Sequence, residues 1–265
     1  IIEALRTGYK HAKGTFVTRM DSDDVMASNK LEQMQQSLVT YGEGHLALGH
    51  VRYFSDEGIG NGYKRYETWL NGLTSKGANF DEIYKECVIP SPCWMVYKTD
   101  LDRCGGFVPN TYPEDYDLAF RFYKQGLKCI ASNELLHHWR DYPIRTSMVD
   151  AHYAENSFLE LKVNYFLELS HDKEKTIVIW GAGTKGKKVA QLLIEKNTPF
   201  VWVCDNPKKI GKDIYNQTLK PFEYLNKLIS YQSIITVANQ DAQIEIKHYF
   251  NIHKKTAMKD YFFFC

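Results

Sequence analysis

Three carboxylates, Asp21, Asp23 and Asp24, fall within four positions, directly after the largely apolar run Phe16-Val17-Thr18-Arg19-Met20. Acids packed this closely repel, and a strand end tolerates them when a cation, backbone N–H groups or a helix N-terminus offsets the charge. One chemistry that uses them is a hard divalent cation, Mg²⁺ or Mn²⁺, which needs only one or two protein carboxylates once substrate phosphates complete its shell. The other reading is turn chemistry, an Asp- and Ser-rich loop ahead of a helix. A second acidic group, Glu114 and Asp115, follows Pro113. Pro113 suits a helix start, and acids in a first turn meet the favourable end of the helix dipole. In a cleft the same carboxylate is a candidate general base, with Arg121 two turns along to hold charge or phosphate. The third pattern is Gly181, Gly183 and Gly186, a G-x-G-x-x-G between an apolar run and an amphipathic stretch. That context is the one the dinucleotide fingerprint requires, and Asp205, ending the next apolar run, stands near the spacing for a ribose hydroxyl. The same glycines also explain a tight turn and close packing, so a ligand does not follow from them.

Periodicity supplies the elements that must position these residues. Residues 1–14 read as a helix ending at Gly14, and Phe16–Thr18 as the start of a buried strand. Asn29 with Glu32 resembles a capping box opening a helix whose inner face is Leu31, Met34 and Leu38 and which stops at Gly42. Residues 46–54 read as one strand and 89–97 as another, begun by its prolines. Residues 55–85, rich in Gly and Tyr, read as irregular structure with some helix over 81–86. Leu118, Ala119, Phe122 and Leu127 mark the inner face of the helix that carries the second acidic pair. Residues 151–175 form a helical connector with Phe158, Leu159, Leu161, Val163, Phe166 and Leu169 on its apolar face. Strands at 176–180, 200–204 and 234–239, a helix at 241–251 and a terminal strand at 261–264 complete a βαβ-type half. The expected division is therefore 1–150, 151–175 and 176–265.

Composition narrows the function classes. A chain of 265 residues with 44% hydrophobic residues supports two ordinary cores. Lys plus Arg total 33 against 32 Asp plus Glu, so no strong field draws the protein to nucleic acid or an anionic membrane. Six cysteines lie scattered without zinc-ligand or CxxC spacing, as expected of reduced thiols in a cytoplasmic protein. No apolar run approaches the length of a transmembrane segment, although peripheral association with the inner face of a membrane is left open.

Taken in order, Ala12-Lys13-Gly14, then Met20-Asp21-Ser22-Asp23-Asp24, Gly105-Gly106-Phe107 and Glu114-Asp115-Tyr116-Asp117-Leu118-Ala119-Phe120-Arg121 resemble the family 2 glycosyltransferases of the GT-A fold. The resemblance implies an α/β protein: a partial GT-A domain followed by a small Rossmann-like parallel-sheet domain. It implies that Asp21, Asp23 and Asp24 form the DXD-type motif that holds Mn²⁺ or Mg²⁺ and the nucleotide-sugar donor. Asp115 maps onto the catalytic base, with Glu114 beside it. The stretch Leu135–Ser147 resembles the segment after that motif, which makes His138 a candidate metal ligand and Arg140 and Arg145 candidate contacts to the donor diphosphate. The implied activity is inverting transfer of a sugar from a nucleotide-diphosphate-sugar to a glycan or lipid-linked acceptor. These enzymes begin with a βαβ region that binds the nucleotide base, so the chain as given reads as a fragment and is expected to be inactive alone. Asp205-Asn206-Pro207-Lys208-Lys209-Ile210-Gly211 also resembles small Rossmann-like modules attached to sugar-modifying enzymes. The alternative is a NAD-type nucleotide-binding oxidoreductase or sensor centred on Gly181–Asp205.

Overall fold

The computed structural model describes residues 1–143, 145, 153 and 157–265, in two units: Ile1–Ile83 with Cys87–Ala154, and Tyr84–Glu86 with Glu155–Cys265. In the first unit the chain runs α1 (Ile2–His11), β1 (Phe16–Thr18), β2 (Val25–Met26), α2 (Lys30–Tyr41), β3 (His45–Leu48), β4 (His50–Phe54) and α3 (Asn61–Thr74). It continues through β5 (Trp94–Tyr97), α4 (Lys98–Arg103), α5 (Glu114–Lys124), β6 (Lys128–Ile130) and β7 (Leu135–Arg140). One sheet has the order β1-β5-β3-β6, with only β3 and β6 parallel; the other has the order β2-β7-β4, with β7 parallel to β4 and antiparallel to β2. Met34, Leu38, Ala47, Val51, Leu70, Met95, Leu136 and Trp139 belong to one buried cluster packed between these elements.

Three local expectations change here. Residues 46–54 are two strands in different sheets, broken at Gly49, where a Cβ would lie 2.6 Å from Leu136 Cδ1. The close approach of β7 demands a residue without a side chain. Residues 61–74, expected as irregular, form α3. Its glycines weaken the helix, but tertiary contacts override propensity. Asn71 accepts from Val51 N at 2.9 Å and donates to Val51 O at 2.8 Å, while Glu67 accepts from Tyr53 N at 2.6 Å. These side chains satisfy backbone groups along β4 as a neighbouring strand would. Finally, Asn29 makes no side-chain cap, and the inner face of α2 is Lys30, Met34 and Leu38, while Leu31 is 46% exposed.

The second unit begins, among its described elements, with α6 (Ser157–Tyr165), which passes into a wider π-type turn at Phe166–Ser170. There follow β8 (Thr176–Trp180), α7 (Thr184–Glu195), β9 (Phe200–Cys204), the hairpin of β10 (Asp213–Ile214) and β11 (Gln217–Thr218), and β12 (Lys220–Pro221). β13 (Tyr231–Ile235), α8 (Gln240–Ile252) and β14 (Tyr261–Phe263) close it. The sheet is parallel throughout, in the order β12-β9-β8-β13-β14. Parallel strands covered on both faces read as unbroken apolar runs, which is why 176–180 and 200–204 were legible. The strand expected at 234–239 ends instead at Ile235, and Asn239 caps α8 by accepting from Ala242 N at 2.9 Å. The fold class is thus α/β, with a Rossmann-like parallel sheet in this unit. Among the described residues no helix is long and apolar enough to cross a membrane.

Candidate active site

The acidic turn between β1 and β2 is fastened from behind. Asp24 is buried, its Oδ2 accepting from His137 Nε2 at 2.8 Å and its Oδ1 from the Arg140 backbone N–H at 2.8 Å. Arg140 also donates from Nε to the Asp23 carbonyl at 2.8 Å, and its guanidinium lies over the Phe54 ring. With both oxygens of Asp24 engaged inside, the carboxylates that remain part-exposed are Asp21 and Asp23. Asp21 accepts from Arg19 Nε at 3.1 Å. Asp23 is hydrogen-bonded to Tyr142 and holds that phenol above its ordinary pKa.

Glu114 and Asp115 occupy the first turn of α5, behind Pro113. Glu114 Oε1 accepts from Arg19 Nη1 at 3.1 Å, and its other oxygen accepts from the Tyr153 hydroxyl. One guanidinium therefore joins two acidic groups that stand far apart in sequence. Asp115 accepts at Oδ1 from the Tyr116 N–H at 2.8 Å. Burial, and then the neighbouring Glu114 charge, push the Asp115 carboxyl up to about 6, while Arg19 and backbone N–H groups pull it down. The cleft in which the pair sits is also lined by Arg19, Ser91, Trp94 and Phe107.

A base acts deprotonated, so activity resting on Asp115 falls as pH drops through about 6. Arg19→Gln removes a charge that favours the carboxylate, and Glu114→Gln removes one that opposes it. The acid limb of the kcat/KM profile should move to higher pH in the first variant and to lower pH in the second. Shifts in the same direction, or none, would separate that limb from Asp115.

Other expected site residues land elsewhere. His138 pairs with Val25 across β2 and β7; the alternation of β7 turns His137 inward to Asp24 and leaves His138 edge-on to Phe54, with ring centroids 6.5 Å apart. Arg145 is paired with Asp141 at 3.4 Å and lies 5.5 Å over the Trp139 ring, within reach of Tyr53 and Tyr63. Arg121 donates to Asp117 at 2.7 Å and to the carbonyls of Cys104 and Gly106, so it secures the loop before α5 rather than facing the cleft. Arg19, Tyr153 and His137 had no place in the sequence reading. Arg19 carried a weak signal as a charge at a strand end next to an acid, and Tyr153 carried none. Among the described residues no three His, Cys, Asp or Glu side chains converge as a ready-made metal cage. Asp21 and Asp23 nevertheless offer two hard oxygen donors, the number that suffices for Mg²⁺ or Mn²⁺ shared with phosphates.

In the second unit the glycine turn follows β8, which lies between β9 and β13, so it sits where the strand order reverses. Gly181 has φ +117°, and a Cβ there would lie 2.7 Å from Thr236 Oγ1. A Cβ on Gly186 would lie 2.2 Å from the Gly181 carbonyl oxygen, so both glycines are explained by packing. Gly183 has no atom within 4 Å of its Cβ position, and Asp205 is exposed after β9. These two remain able to meet a dinucleotide, although Lys209 already donates to the Ala182 carbonyl at 2.7 Å.

Residues 1–106 match glycosyl transferase family 2. The family 2 glycosyl transferase match thus includes Arg19 and the acidic turn and stops at Gly106, short of Glu114 and Asp115. It supports a nucleotide-sugar glycosyltransferase domain in general. No curated protein matches the chain. Among solved structures, UDP-D-quinovosamine 4-dehydrogenase from Vibrio fischeri is 24% identical, over 30% of this chain and 72% of that one, with a TM-score of 0.27. L-tryptophan dehydrogenase from Nostoc punctiforme is 15% identical, over 90% of this chain and 68% of that one, with a TM-score of 0.30. Superpositions this loose carry neither ligand nor activity to this protein.

Proposed function

We propose that the first unit supplies the catalytic part of an inverting glycosyltransferase that moves a sugar from a nucleotide-diphosphate-sugar to a glycan or lipid-linked acceptor. The observation that carries the reading is the Arg19 guanidinium, held by Asp21 of the acidic turn and by Glu114 of the acidic pair, 3.1 Å from each. The link supports the reading because Asp21 belongs to the turn proposed to face the donor and Glu114 stands next to Asp115, the proposed base. Asp21 and Asp23 would hold Mn²⁺ or Mg²⁺. That ion would supply charge neutralisation for the departing nucleotide diphosphate. Asp115 takes the proton of the acceptor hydroxyl as its oxygen bonds to the anomeric carbon; the bond from that carbon to the diphosphate breaks, and its electron pair leaves with the nucleotide. Glu114, fixed by Arg19 and Tyr153, stands beside Asp115 and, after burial, is the second cause that raises the Asp115 pKa to about 6, which suits a base working near neutral pH. Attack from the face opposite the leaving group inverts the anomeric centre.

Thermal unfolding of the natural full-length protein with UDP or GDP, each with and without Mn²⁺, and with NAD⁺, tests the reading, because a ligand of the native state raises apparent stability. The expected result is a Mn²⁺-dependent rise with one nucleoside diphosphate. A rise with NAD⁺ alone would move the chemistry to Gly183 and Asp205.

A further inference from the structure

Lys30 is fully buried, at 0% exposure, on the inner face of α2. Its ammonium donates to the Pro92 carbonyl at 2.5 Å and stands 3.2 Å from His137 Nδ1. His137, also 0% exposed, reaches Asp24 through Nε2. Lys30 Nζ faces Nδ1 of the imidazole and the Asp24 carboxylate faces its Nε2, so the ring is held at both nitrogens. The line Pro92–Lys30–His137–Asp24 thus crosses the interior and ends on the turn that carries Asp21 and Asp23. At its other end, Pro92 follows Ser91, which lines the cleft of Glu114 and Asp115.

A buried ammonium is a poor way to gain stability. Burial lowers the Lys30 pKa, the charge of Asp24 stands one imidazole away rather than in contact, and apolar residues of similar volume often serve such positions as well or better. What the line does provide is direction. Its hydrogen bonds fix the Asp24 carboxylate inside, so the turn has one orientation, in which Asp21 and Asp23 remain part-exposed. We propose that Lys30 and His137 are positioning residues, bracing the acidic turn through Asp24 so that Asp21 and Asp23 meet a divalent cation and nucleotide diphosphate in a preformed geometry. The inference rests on the glycosyltransferase reading of that turn.

The test titrates Mn²⁺ at saturating UDP or GDP, following thermal stabilisation, on the full-length wild type, Lys30→Met and His137→Gln. Met fills the volume of the lysine stem, so the ligand-free Tm should stay close to wild type, while the half-saturating Mn²⁺ concentration rises about tenfold. Gln can still donate to Asp24 and accept from Lys30, and should remain within about threefold of wild type. Lys30→Leu, which also removes the donor, replaces the Met variant if that one does not fold, with a rise in the same direction. A lysine that only supports the fold would lower Tm and leave the Mn²⁺ midpoint alone, and that result overturns the brace. Absence of any Mn²⁺ and nucleotide response in the wild type overturns the glycosyltransferase reading itself, and the brace with it.

Discussion

Asp115→Asn in the full-length protein should lower kcat for sugar transfer by about a thousandfold, within the range a positioned general base contributes. Asn keeps the volume and can still accept from the Tyr116 N–H, so α5 keeps its first turn. It cannot take a proton. Because the Asp115 carboxylate accepts from the Tyr116 N–H and takes no part in the hydrogen bonds that fasten Asp24, stabilisation by nucleoside diphosphate and Mn²⁺ should be retained. Transfer within threefold of wild type would remove Asp115 from the base's role. Removal of the neighbouring Glu114 charge acts in a different way, by making Asp115 a weaker base that is ionised to lower pH, and so should leave substantial activity at neutral pH.

The second large effect is expected at Asp23. Its carboxylate is part-exposed and contacts Tyr142, while the hydrogen bonds that fasten the turn go to its carbonyl and to Asp24. Asp23→Ala should therefore leave Tm within a few degrees of wild type, as expected for a substitution outside the buried brace. Transfer should nevertheless fall by at least about a hundredfold, since an ion that neutralises a leaving diphosphate is worth several kcal/mol in the transition state. The fall should be accompanied by loss of the Mn²⁺-dependent thermal shift. Measurement of both on one preparation separates the cases: full transfer with an intact shift would show that Asp23 is a turn residue, and a collapsed Tm would show that it supports the fold.

Features that live in a short window were legible from the residues alone. The apolar period marked β8, β9 and α7, Pro113 marked the start of α5, and the first acidic group with Gly105-Gly106 lies within the residues 1–106 that match glycosyl transferase family 2, while Glu114 and Asp115 lie beyond them. Each depends on neighbours within one or two turns or one strand, where backbone sterics and side-chain spacing act directly. Which of two adjacent residues faces inward came from packing. His137 rather than His138, and Lys30 rather than Leu31, took the buried positions, because strand pairing and the available polar partners chose the face. Packing also decided α3, whose Asn71 and Glu67 answer the backbone of β4, and the joining of Asp21 to Glu114 through Arg19. Such partners come from segments far apart in the chain and meet only when sheets and helices pack. Nothing in the local spacing of Arg19 or His137 specifies who will stand opposite.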